Sequence, residues 1–203
     1  MKKNRIIIYF FTGKRGGFNH FVPILREIDL SNKIDYKIIV ADMHLSSFFG
    51  KTVNEIKNYS KKLILLDKIK TKDTISNRLS VISKTITSLS KVFDKKKPDY
   101  LFLLGDRAEV LGAAISGMHY NIPIIHLYGG DITQGGTDES TRHAISKISN
   151  IHLTSNYHSY KNVKKIGEES WRVHNVGLSS LDLFKNIYFK SKKNVKNFKS
   201  CNK

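Results

Sequence analysis

The chain has 203 residues, 40% hydrophobic and 26% charged, which suits one α/β-sized core and excludes a disordered or fibrous chain. Its net charge is +18, from 35 Lys and Arg against 17 Asp and Glu. Most of the lysines are scattered and no helical stretch carries a one-sided basic stripe with interleaved aromatics, so a lysine-rich surface that attracts anionic ligands fits better than a nucleic-acid binder.

No apolar run approaches the length of a membrane span. Met1-Lys-Lys-Asn-Arg is followed by only six apolar residues, Ile6 to Phe11, with no small-residue cleavage site, and this reads as a cytoplasmic protein. The single cysteine, Cys201, excludes an internal disulfide and a cysteine-based metal site.

Arg5 to Phe11 is β-branched and aromatic without polar alternation, as expected of a buried parallel strand. It ends at Thr12-Gly13-Lys14-Arg15-Gly16-Gly17, after which Asn19 is placed to cap a helix with Phe21, Val22, Leu25 and Ile28 on one face. A glycine-rich strand-to-helix turn lets backbone N–H groups approach a phosphate, with Lys14 and Arg15 adding charge. The same turn is equally an ordinary tight connection, since it lacks both GxGxxG and the GK[ST] ending.

Tyr36 to Ala41 reads as a second strand, with His44 just past its end. Lys51 to Ser60 reads as a short helix and Leu63 to Leu66 as a third strand. From Thr74 to Phe93, Ile75, Leu79, Ile82, Ile86, Leu89 and Phe93 recur at helical spacing, predicting a helix that packs on the sheet. Asp73 or Thr74 serves as its cap, and Lys95-Lys96-Lys97-Pro98 ends it.

Tyr100 to Leu104 is a fourth strand and stops at Gly105-Asp106-Arg107; a helix from Arg107 to Met118 follows, rich in small residues at Gly112-Ala113-Ala114. Ile122 to Leu127 is a fifth strand and stops at Gly129-Gly130-Asp131. Asp138 and Glu139 open the next helix, Asp138 to Ser149, behind Thr137 as cap, where the helix dipole favours acids. Arg142, one turn on, is spaced to pair with either acid. Ile151 to Thr154, Tyr157 to Ile166, Arg172 to Val176 and a helical turn at Ser179 to Phe184 continue the alternation. The tail, with seven lysines and no acid after Asp182, loses periodicity and is expected to fray.

Strands alternating with helices predict a doubly wound, Rossmann-like α/β domain with a parallel sheet, here spanning residues 1–184. Its ligands are expected at the carboxyl ends of the strands. That is where Asp106 and Asp131 fall, and a fold by itself needs no acid there.

Taken together, GDRAEVLGAA, the IPIIHLYGGDITQGGTDESTRHAISK run and RVHNVGLSSLD resemble the hydrolysing UDP-N-acetylglucosamine 2-epimerases, which supply N-acetylmannosamine for bacterial sialic acid synthesis. The Thr12-Gly13-Lys14-Arg15 turn and Asp42-Met43-His44-Leu45-Ser46 look like that family's earlier motifs. The resemblance runs from Arg5 to about Asp182 and fades near Lys193.

It implies the N-terminal domain of a GT-B-like fold, with a UDP-sugar in the cleft between two Rossmann domains. It also implies a reaction that removes the C2 proton, eliminates UDP and hydrates the resulting 2-acetamidoglucal. Asp106, Asp131 and Glu139 fall on the family's acidic positions, with Asp138 adjacent. Arg15, His44, Arg107 and Arg142 fall on positions expected to hold the substrate or orient the acids. No metal or redox cofactor is implied, and a homodimer is.

This sequence departs from the family in three ways. Gly17 stands where an acid is common, Asp42 stands where a small residue is usual, and family members run to about twice this length. The last point leads to the expectation that the C-terminal nucleotide-binding domain is absent from these 203 residues, and that they turn over weakly or not at all unless a separate polypeptide supplies it. Alternatives are the same chemistry on UDP-N,N′-diacetylbacillosamine and a non-catalytic remnant that only binds or dimerises.

Overall fold

The computed structural model describes residues 5–67, 74–133 and 137–184; Asp73 as a cap and the basic tail at 185–203 lie outside the described residues. The strands are β1 (Ile6–Thr12), β2 (Ile34–Val40), β3 (Leu63–Leu65), β4 (Tyr100–Leu104), β5 (Ile124–Leu127), β6 (Ile151–Thr154) and β7 (Val173–Asn175). They pair in parallel in the order β3-β2-β1-β4-β5-β6-β7. The helices are α1 (Phe18–Asp29), α2 (Val53–Tyr59), α3 (Ile75–Lys95), α4 (Ala108–His119), α5 (Asp138–Ile148) and α6 (Tyr157–Lys165). This is the doubly wound parallel sheet that the alternating pattern predicted. No helix among the described residues is long and apolar enough to cross a membrane.

The apolar run of β1 lacks alternation because both of its faces are covered. Successive side chains point to opposite sides of a strand. Ile8 and Phe10 join Phe21, Leu25, Tyr36 and Phe102 in one core. Tyr9 and Phe11 join Leu89, Phe93, Leu101 and Leu103 in the other. Phe10 stacks on Phe102 at 4.7 Å between centroids, and Phe21 meets both rings edge-on.

Several sequence expectations need correction. Asn19 is not the cap of α1: the helix starts at Phe18, with Gly17 at the N-cap and no side-chain cap bond. Phe18, buried against the Tyr59 ring, lies inside the helix, whose start is two residues earlier than expected. Thr74 does cap α3, accepting from the Asn77 N–H at 3.2 Å. Thr137 occupies the N-cap of α5 in a helical conformation and makes no cap bond with its side chain.

The α3 stripe is also rotated from the expected one. Val81, Thr85, Ser88, Leu89 and Phe93 are buried, while Ile75 and Leu79 are 79% and 63% exposed. The cause is lateral packing on α4, where a Cβ at Gly112 would lie 2.9 Å from the Ile82 carbonyl oxygen and 3.1 Å from Thr85. The small residues of α4 thus admit a neighbouring helix, and a helix seated there turns a different edge to the sheet.

Candidate active site

β1 and β4 lie side by side, yet the chain proceeds outwards from them in opposite directions, to β2 and β3 on one side and to β5, β6 and β7 on the other. At such a switch point the turns leaving the two strands diverge and open a crevice at their carboxyl ends. A cleft of about 400 Å³ occupies it. The turn after β1 supplies Gly13, Lys14, Gly16 and Gly17; the turn after β4 supplies Gly105, Asp106 and Arg107; the end of β5 supplies Tyr128 and Asp131. His20 of α1, Glu109 of α4 and Arg142 of α5 complete the wall.

Arg142 organises one side of the cleft. Its side chain is 5% exposed and donates to the Asp106 carboxylate, to the Asp131 carbonyl oxygen and, at 3.3 Å, to Thr133 Oγ1. The expected pairing of Arg142 with Asp138 or Glu139 is therefore corrected. Its partner is 36 residues away because the β4 turn and the first turns of α5 meet over the sheet edge, and a buried guanidinium takes the carboxylate that shares its burial. Behind Asp106, His126 of β5 is fully buried and its Nε2 donates to the Gly105 carbonyl at 2.8 Å, which leaves Nδ1 to accept from Ser146 Oγ at 3.1 Å. That bond holds the turn presenting Asp106.

Asp131 keeps its carboxylate in the cleft by accepting at Oδ1 from Ser155 Oγ at 2.9 Å and from Ser159 Oγ. The turn reaching it requires Gly130, which has φ +83°, and a Cβ there would collide with the Ser159 carbonyl oxygen and meet Val163 at 2.7 Å.

Arg107 organises the other side. Its Nε donates to Glu109 Oε1 at 2.9 Å, and its Nη2 lies 3.8 Å from Asp42 Oδ2. Both carboxylates are buried, and Asp42 Oδ1 and Glu109 Oε2 have no hydrogen-bond partner among the described residues. Burial pushes both carboxyl groups up from their ordinary range, against the opposing charge of Arg107. Glu109 packs where Gly13 leaves room, since a Cβ at Gly13 would lie 2.5 Å from Glu109 Cγ.

Other sequence candidates fall away from the cleft wall. His44 is buried between two hydroxyls, with Nε2 2.9 Å from Thr12 Oγ1 and Nδ1 2.9 Å from Thr52 Oγ1. Arg15 is exposed and lies over the Phe49 ring at 5.5 Å, donating to the Phe49 carbonyl at 3.4 Å. Asp138 is exposed in the first turn of α5, where its charge acts on Arg107. Glu139 lies 3.7 Å from His143 one turn on. Sequence reasoning missed Glu109, His20 and Tyr128 as wall residues. Glu109 carries a local signal, an acid in the first turn of a helix two residues after Arg107, but its apposition to Gly13 is tertiary.

The buried imidazoles predict acid lability. Burial lowers both His44 and His126 to about 4 from 6.5. Between these values the unfolded chain binds protons that the folded chain refuses, so stability is full above pH 6.5 and declines as pH falls towards 4. Each imidazole contributes a slope of about 1.4 kcal/mol per pH unit. Urea midpoints measured at pH 7.5 and pH 5 should differ in that direction; equal midpoints would contradict the buried neutral state of both rings.

The sheet and its helices form a Rossmann-like α/β domain of the GT-B-like class, with a cleft lined by acids and guanidiniums at its switch point. Residues 26–202 match the family model described as UDP-N-acetylglucosamine 2-epimerase, and the chain belongs to that family. The match extends past Lys193, where the resemblance was expected to fade. The chain is 35% identical over 176 residues to UDP-N,N′-diacetylbacillosamine 2-epimerase (hydrolyzing) of Legionella pneumophila, covering 86% of this chain and 46% of the relative. It is 30% identical over 193 residues to UDP-N-acetylglucosamine 2-epimerase of Neisseria meningitidis, covering 94% and 50%. The crystal structure of Methanocaldococcus jannaschii UDP-GlcNAc 2-epimerase in complex with UDP-GlcNAc and UDP matches with TM-score 0.77 at 23% identity, covering 95% of this chain and 53% of that one. The chain spans about half the length of the curated relatives it matches.

Proposed function

We propose that this domain forms one wall of the active site of a hydrolysing UDP-2-acetamido-sugar 2-epimerase, the other wall coming from a second Rossmann-like domain. The observation that carries this reading is the convergence of Asp106 and Asp131 on one switch-point cleft, joined by the buried Arg142. The reaction needs a base to take the C2 proton and an acid to protonate a leaving or returning group, with carboxyls set to different affinities for the proton. Removal of the C2 proton forms the C1–C2 double bond as the C1–O bond breaks and its electron pair leaves with UDP. Water then adds, oxygen to C1 and a proton to the opposite face of C2, so that UDP-N-acetylglucosamine and water give UDP and N-acetylmannosamine. Asp106, Asp131, Glu139 and Asp138 are the candidate acids. Arg107 and Arg142 orient them or bind the diphosphate, with the exposed Arg15 as a further contact; His44, bonded to Thr12 and Thr52, supports the end of β1 instead of touching the substrate.

The first sugar to test is UDP-N-acetylglucosamine. A second reading, UDP-N,N′-diacetylbacillosamine, is favoured by the higher identity to the Legionella relative than to the Neisseria one. The test measures UDP release and the free sugar from each substrate, using the 203-residue chain alone and mixed with the unmatched half of the Neisseria relative. Turnover with either sugar supports the reading and names the substrate. Binding of both without turnover in the mixture would instead identify a binding domain.

A further inference from the structure

Another hydrogen-bonded group on the cleft wall stands apart from the carboxylates and guanidiniums: His20 in the first turn of α1, Tyr128 at the end of β5, and Ser179 beyond β7. Ser179 Oγ lies 2.7 Å from the His20 carbonyl oxygen, which can only accept, so the serine proton is committed there. Tyr128 Oη lies 2.9 Å from Ser179 Oγ, and with that proton committed the phenol is the donor. The Ser179 backbone N–H donates to Tyr128 Oη at 2.8 Å and takes one lone pair. The other lone pair faces His20 Nδ1 at 3.3 Å, and this contact is a hydrogen bond only when Nδ1 carries the proton.

A single proton arrangement therefore satisfies all four contacts. The rings meet edge-on, 5.0 Å apart at 88°, which fixes the imidazole plane. Tyr128 holds its place with φ +66°, a conformation unfavourable for a bulky residue by about 1–2 kcal/mol. Burial and the neighbouring Lys14 charge push the imidazole down from its ordinary range, which favours the neutral ring. The second ring nitrogen, Nε2, then bears a lone pair, and among the described residues no side chain or backbone group bonds to it.

We infer that His20 is a substrate-positioning residue, locked by Tyr128 and Ser179 as the Nδ1–H tautomer so that its bare Nε2 accepts a hydrogen bond from an O–H or N–H of the bound sugar. Phosphate oxygens only accept, so this corner of the cleft takes a sugar hydroxyl or the N-acyl N–H and not the diphosphate. The tautomer lock stands on geometry alone; the sugar contact rests on the proposed function.

The experiment uses the chain labelled with ¹⁵N-histidine and a long-range ¹H–¹⁵N correlation spectrum near pH 7.5. His20 is expected to show a protonated Nδ1 and an unprotonated Nε2. Ser179→Ala removes the acceptor of the phenol proton, which then turns to Nδ1 and moves the ring to the Nε2–H tautomer. A wild-type ring already protonated at Nε2, or a spectrum unchanged in Ser179→Ala, overturns the lock.

The same sample is titrated with UDP-N-acetylglucosamine and, separately, with UDP-N,N′-diacetylbacillosamine. His20→Gln, whose amide oxygen reaches the Nε2 position, should bind within about 3-fold of wild type, whereas His20→Leu should bind about 10-fold more weakly. Equal affinity of the two variants overturns the sugar contact. If wild type binds neither UDP-N-acetylglucosamine nor UDP-N,N′-diacetylbacillosamine, the proposed function fails together with the sugar contact, and the spectra still decide the lock.

Discussion

Replacing Glu168 by alanine should destabilise the domain by about 1–3 kcal/mol, as expected when a buried donor loses its acceptor. The Glu168 side chain is 1% exposed and holds three groups from three parts of the chain. Oε1 accepts from Lys147 Nζ of α5 at 2.8 Å; Oε2 meets His152 Nε2 of β6 at 3.2 Å and Arg172 Nη2, just before β7, at 2.7 Å. Burial alone pushes this carboxyl up, but Lys147, His152 and Arg172 together outweigh it and hold the group below its ordinary range. Its stabilising contribution is therefore present at neutral pH and is lost as pH falls below about 4.5.

Alanine would leave His152, fully buried, without its acceptor and would uncouple the outer strands β6 and β7 from α5. Urea unfolding at pH 7.5 measures the change. Glu168→Gln, which keeps an acceptor at one oxygen, should lose less than the alanine variant. A loss below about 1 kcal/mol in alanine would show that the cluster is no more than a solvated ion pair.

On the proposed function, Asp131→Asn should lower the rate of UDP release by about 10²–10⁴-fold, the contribution typical of a positioned general acid or base, with the fold retained. Asn keeps an oxygen to accept from Ser155 and Ser159, so the turn at Gly130 keeps its bonds. What it loses is the capacity to hold and release a proton. Asp106→Asn is a less clean test. It strips the buried Arg142 of its carboxylate and is expected to disturb the cleft as well as the chemistry. The assay uses the complete active site, with both walls present, and compares turnover with sugar affinity. An Asp131→Asn variant that turns over like wild type would remove Asp131 from the chemistry and move the role to Asp106, Glu139 or Asp138.

Much of the fold was legible because buried parallel strands have a plain signature. Ile6 to Phe11, Tyr100 to Leu104 and Ile122 to Leu127 are continuous apolar runs ended by glycine or polar turns, and each forms a strand close to its expected bounds. The fifth starts two residues late, at Ile124, because Pro123 has no N–H to offer the ladder. The α3 stripe was misjudged because periodicity measures how apolar residues recur, not which neighbour they meet.

The candidate site was legible to the extent that it follows from topology. Acids placed immediately after strand ends must reach the carboxyl edge of a parallel sheet, and the sequence alone therefore determined that Asp106 and Asp131 would share one rim. It also determined the sheet class and the family motifs, because these depend on local pattern and spacing. Only the tertiary structure decided the partners. Arg142 pairs with Asp106 across 36 residues and not with the acids one turn away; Glu109 enters the wall through the space left by Gly13; the phenol of Tyr128 sets the proton of His20 across 108 residues. The physical reason is common to all three. A charge or proton that leaves water must be satisfied by whatever polar group shares its burial, and burial is a property of how elements pack, not of their order along the chain.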